Sequence, residues 1–69
     1  MKDAVKQLKE KYPPNTRVQM KCMREEPRPI PPGTMGTVDH VDDAGQIHTR
    51  WDNGRYLAII PEVDSFHAL

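Results

Sequence analysis

The chain is short of most of what an enzyme or a membrane protein is built from. Only 36% of its 69 residues are hydrophobic and 6% are aromatic, with one Trp, one Phe and two Tyr. No apolar run approaches the ~20 residues of a membrane span. There is one cysteine, Cys22, so no internal disulfide can form, and a free thiol fits the cytoplasm. No apolar stretch follows the basic start, so no secretory signal is expected. A chain this size buries roughly 60% of its unfolded surface, which leaves little material for an enclosing cleft of ~300 Å³ or more. No phosphate-cradling glycine loop and no helix with paired carboxylates is present. Asp64, Ser65 and His67 have nucleophile chemistry, but on a strand Ser65 and His67 stand about 6.6 Å apart, too far for a hydroxyl–imidazole bond. The expectation is a non-enzymatic protein without cofactor.

What is present is charge and proline. Ten basic and ten acidic side chains cancel, yet they are segregated. Residues 1–24 hold seven Lys/Arg against Asp3 and Glu10; residues 25–69 hold three Arg against eight acids. Such ends either complement each other in the fold or leave a basic surface for an anionic partner. Six of the seven prolines cluster, at Pro13-Pro14 and through Pro27, Pro29, Pro31 and Pro32. They remove the backbone donors that helix or central strand would need.

Residues 3–11 read as a short helix opened by Asp3, where a carboxylate meets free N–H groups. Val5, Leu8 and Tyr12 make a narrow apolar stripe, and lysines occupy the rest. Pro13-Pro14 ends it. Arg17–Met23 alternates, placing Val18, Met20 and Cys22 on a buried face. Glu25–Gly33 is a stiff polyproline-like connection whose Pro29–Pro32 spacing also fits an SH3 ligand. Val38 and Val41 share a strand only if a β-bulge lies near Asp39–His40. Asp42–Gly45 is a turn, and Gln46–Trp51 a third strand with Ile47, Thr49 and Trp51 inward. Asn53-Gly54 predicts a two-residue hairpin loop. That loop sets Trp51 opposite Tyr56 and turns Tyr56, Ala58 and Ile60 into the core, leaving Leu57 and Ile59 outside for the helix to cover. Pro61 ends the fourth strand; a turn over Glu62–Asp64 leads into a fifth, Ser65–Leu69. The architecture expected is mainly β: a small five-stranded, SH3-like, partly open barrel (13–69) preceded by one amphipathic helix (1–12).

Certain blocks carry a resemblance. These are Tyr12-Pro13-Pro14-Asn15-Thr16-Arg17-Val18, Ile30-Pro31-Pro32-Gly33-Thr34-Met35-Gly36-Thr37-Val38, Val41-Asp42-Asp43-Ala44-Gly45-Gln46-Ile47-His48, Trp51-Asp52-Asn53-Gly54 and Ile60-Pro61-Glu62-Val63-Asp64-Ser65-Phe66. Together they resemble the small bacterial domain of unknown function 4314 over residues 12–69. The resemblance implies an SH3-like barrel and a setting in bacteria, phages or mobile elements, and no activity. Asn15 stands where a glycine is expected.

Two functions from different classes follow. One is a protein-binding module that docks on a larger protein, with an inhibitor of a host defence complex (anti-CRISPR-like) as one version. The other is a nucleic-acid-binding barrel that uses the Lys-rich helix and an aromatic pair. Both draw on Lys2, Lys6, Lys9, Trp51, Arg55 and Tyr56 as contact residues. The protein is read as a monomer or a homodimer. A zinc ion could take His40 and His48 with Asp39 or Asp52, but no closed four-ligand spacing supports it, and no metal is expected.

Overall fold

The computed structural model describes residues 3–69. The chain runs α1 (Asp3–Lys11), β1 (Arg17–Cys22), β2 (Met35–Val41), β3 (Ile47–Trp51), β4 (Tyr56–Ile59) and β5 (Ser65–Ala68). The strands form one antiparallel sheet in the order β4-β3-β2-β1-β5, curled into a small, partly open SH3-like barrel. Its interior is lined by Val18, Met20, Met23, Ile30, Val38, Val41, Ile47, Trp51 and Ile59. The expected bulge is there: the β2–β3 register shifts between Val38 and His40, so that Val38 and Val41 both point inward.

The two hairpins share one backbone design. Gly45 N–H bonds to Asp42 O and Asp42 N–H to Gln46 O; Gly54 N–H bonds to Trp51 O and Trp51 N–H to Arg55 O. Gly45 and Gly54 sit at φ 85° and 90°. Each loop is therefore three residues long, a turn followed by a glycine bulge. At β3–β4 this differs from the two-residue loop that Asn53-Gly54 predicts. Trp51 pairs with Arg55, and Arg50 with Tyr56. A slip of one residue turns every side chain over. Leu57 and Ile59 therefore face the interior, and Tyr56 is 53% exposed instead of buried. The expected Trp51–Tyr56 pair does not form.

A second slip corrects Cys22. The β1–β5 register shifts between Met20 and Cys22. Cys22 is exposed, and Met23 enters the core in its place.

Since Leu57 and Ile59 are inside, α1 does not cover them. Its stripe is used, but at the β2–β3 turn. A Cβ built on Gly45 would sit 3.6 Å from a Leu8 methyl and 3.7 Å from a Val5 methyl. Lys9 Nζ reaches Asp43 at 2.8 Å. Tyr12 closes the joint, its ring 5.3 Å from that of Phe66. Asn15 follows at φ 77°, a left-handed position that asparagine tolerates, in place of the expected glycine.

The proline segment is part of the barrel wall. Ile30 at its centre is 0% exposed. Met20 N–H bonds to Thr34 O, and Gly33 N–H to Met20 O. Its first half runs beside the outer edge of β4, where the Arg55 guanidinium donates to the Arg28 carbonyl and Glu25 and Glu26 stand next to Ala58 and Ile60. Asp64, 8% exposed, staples this side shut. Its carboxylate accepts Arg24 N–H at 3.2 Å and Ile60 N–H at 2.9 Å. With a backbone N–H on each oxygen, Asp64 ties the two ends of this side together.

Candidate functional site

The side chains with chemistry gather on the outer face of β1–β4. Cross-strand pairing places Arg17, Thr37, Arg50 and Tyr56 in one row. His40 lies opposite His48 in the next. The positions alternate with the buried Val18, Val38 and Thr49 and the half-buried Leu57, so the face is fixed by the same periodicity that fills the core.

Asp39 is the hub of the face. Its Oδ1 accepts Arg50 Nη1 at 2.7 Å, and its Oδ2 lies 2.8 Å from the Tyr56 hydroxyl and 2.9 Å from His40 Nδ1. The bonds from His40 and Tyr56 hold the Asp39 carboxyl below its usual range. In return Asp39 pushes the Tyr56 phenol up, keeping it a hydrogen-bond donor. His40 and His48 stack face to face, 4.4 Å between centroids and 5° from parallel. His48 Nε2 lies 2.8 Å from Asp42 Oδ2. Asp42 also accepts Gln46 and Ala44 N–H, so its carboxyl too lies low, the bond to His48 being the largest cause. Across the row, Arg17 grips Asp52 in a two-pronged pair at 2.9 and 2.8 Å and lends Nη1 to the Thr37 hydroxyl. That pair lowers the Asp52 carboxyl and raises the Arg17 guanidinium.

The arrangement is a pre-ordered polar and aromatic platform. It has no cleft, and stacked rings do not converge on one point as metal ligands must. No cluster of three metal-binding side chains occurs among the described residues.

The residues singled out from sequence are scattered. Tyr56 is on the platform. Arg55 is at its rim, tied to the proline segment. Trp51 is 3% exposed, with its indole N–H bonded to Leu57 O at 3.1 Å, so it offers no contact surface and is a correction to the expected set. Lys9 is paired with Asp43 on α1, away from the platform, and Lys6 is exposed on the same helix. Lys2 lies outside the described residues. Arg50 and Arg17 were not foreseen, and Asp39 was singled out only as a metal ligand beside His40 and His48. The signal that finds them is register: once β3 pairs three residues back, Arg50 and Tyr56 must share a row.

No curated protein and no solved structure matches this chain. The family described as "Domain of unknown function (DUF4314)" matches it over residues 1–69. The match takes in the helix as well as the blocks from Tyr12 onward, and the chain belongs to the DUF4314 family.

Proposed function

We propose that the protein is a non-enzymatic binding module that docks on a larger protein through the outer face of β1–β4. The observation that carries this reading is Tyr56. Of Trp51, Tyr56 and Phe66 on the sheet it alone is exposed, 53% accessible, and its hydroxyl is already fixed by Asp39. Tyrosine and arginine held in place before binding lose little side-chain entropy, which is why they anchor protein interfaces. Arg50, beside Tyr56 in the row, is likewise fixed by Asp39.

The same face weighs against nucleic acid. Its two guanidiniums, Arg17 and Arg50, stand among three carboxylates, Asp39, Asp42 and Asp52. A phosphate backbone would meet no net positive charge there, and phosphate neutralisation dominates nucleic-acid affinity. The anti-CRISPR-like version rests on chain size and the expected setting alone. The test is capture from the native host by the wild-type chain and by Tyr56→Ala with Arg50→Ala, read by mass spectrometry. The expected result is a protein retained by the wild type and lost by the double variant at an unchanged melting temperature. Retention of DNA or RNA that falls steeply with salt would favour the nucleic-acid reading.

A further inference from the structure

We infer that the recess beside Ala58 receives an arginine or lysine side chain of the protein partner. The inference rests on the reading of the outer face as a docking surface and says what the partner must bring to it. β4 points Tyr56 and Ala58 outward in succession, and Ile60 follows half-buried. The alanine leaves a dip between larger neighbours. Met23, Ala58 and Ile60 supply apolar lining, and Glu25 and Glu26 stand at the rim. The recess is shallow, about 40 Å³ and open to solvent, enough for the end of one side chain laid along its wall.

The charges in this recess are not spoken for. Asp39, Asp42, Asp43 and Asp52 each have a cationic or imidazole partner within the fold. Among the described residues, Glu25 and Glu26 are in no ion pair, even with Arg24 and Arg28 close in sequence. Glu26 accepts only a long bond of 3.3 Å from Arg28 N–H. Asp64, buried behind them, accepts one backbone N–H on each oxygen and is likewise in no ion pair among the described residues. Unpaired carboxylates over methyl and methylene walls fit one kind of occupant: an aliphatic stem with a cationic tip. An apolar side chain would strip water from the glutamates and return nothing, and an acidic one would be repelled. The recess continues the platform, since Ala58 pairs with His48 and follows Tyr56 by two residues.

The test is a titration of the ¹⁵N-labelled full chain with acetyl-Gly-Arg-Gly-amide and acetyl-Gly-Lys-Gly-amide, with acetyl-Gly-norleucine-Gly-amide as the uncharged counterpart. We expect saturable shifts at Glu25, Glu26, Ala58 and Ile60 with the basic peptides, at weak affinity of order 1–10 mM. Glu25→Gln with Glu26→Gln, at an unchanged melting temperature, should weaken them about tenfold or more. Absence of saturable shifts overturns the inference. So do equal shifts with norleucine, or shifts that persist in the double variant. If the titration is silent while Tyr56→Ala still releases a captured protein, the recess fails and the docking face stands.

Discussion

The two hairpins invite comparison because their backbones match and their sequences do not. Asp42-Asp43-Ala44-Gly45-Gln46 and Trp51-Asp52-Asn53-Gly54-Arg55 close with the same pair of main-chain bonds and the same positive-φ glycine. In the first, the Asp42 carboxylate caps the turn by accepting Ala44 and Gln46 N–H. In the second, Asn53 Oδ1 accepts Arg55 N–H. The first hairpin brings His40 opposite His48, as a three-residue loop should. The second carries Asn-Gly, the strongest short hairpin signal, and yet the chain uses one residue more. Local preference for a tight turn is worth little beside the choice of which face is buried. A two-residue loop with Trp51 opposite Tyr56 would turn a phenol, an alanine and Ile60 inward; the loop observed buries Ile59, packs Leu57 against the core and leaves the phenol in water.

The largest effects should come from what locks the second hairpin in register. Trp51 lies over Gly36, where a Cβ would come within 2.7 Å of the indole and 2.8 Å of the Thr49 methyl. Trp51→Ala should cost about 3–5 kcal/mol, and Gly36→Ala about 1–3 kcal/mol by overpacking. Urea unfolding of each reads both; a wild-type midpoint would show that Trp51 does not hold the register.

Next come the matched glycines. Gly45→Ala and Gly54→Ala each force an alanine into the left-handed region, at about 1–2 kcal/mol. The two should agree, since the new methyl at 45 meets Leu8 and Val5 only at ordinary contact distance and that at 54 meets nothing. A much larger loss at 45 would mean that α1 sits tighter on the first hairpin.

A smaller effect is expected from acid. The carboxyls of Asp42 and Asp52, one at each hairpin, are lowered in the fold, chiefly by the bonds from His48 and from Arg17. A carboxyl lowered on folding stabilises above its unfolded value of about 3.9 and loses that contribution as pH falls through the folded value. Melting temperature should therefore fall as pH drops below about 4, and Asp42→Asn and Asp52→Asn should each flatten that fall. Identical slopes in wild type and variants would remove the carboxylates from the account.

The smallest change should come from deleting Asp52. That leaves Asn53-Gly54 as a two-residue loop between the same partners, Trp51 and Arg55. The exposed pair with Arg17 is lost, and such pairs contribute little; with it goes one main-chain bond, from Asp52 N–H to Met35 O. We expect the Arg50–Tyr56 pairing to survive, read by amide contacts in NMR. A swap to Trp51 opposite Tyr56 would show that the loop, and not the core, sets the face.

These comparisons also mark what could be read in the residues. The helix, the β2 bulge, the inward Ile47, Thr49 and Trp51, and the barrel follow from periodicity and turn chemistry. Both corrections, at Cys22 and along β4, are slips of one residue. At Cys22, alternation continues smoothly through Lys21, and nothing local says that a bulge will pass the interior role to Met23. On β4, both faces carry aliphatic residues, so phase is decided only when the strand is laid against β3. The platform inherits that phase. Asp39, Arg50 and Tyr56 come from three strands, and their meeting is a property of register alone.

The proline segment beside β4 has a consequence for crowded solutions. A sheet that ends in β4 presents a row of free main-chain groups to any neighbouring chain, a template on which strands add and fibrils grow. The cover over that row carries Pro27 and Pro29, which have no N–H to offer and cannot be continued into a sixth strand. Arg55 and Asp64 pin the cover at either end. The stiffness that makes this stretch resemble a ligand for other domains thus shields the β4 edge from self-templating.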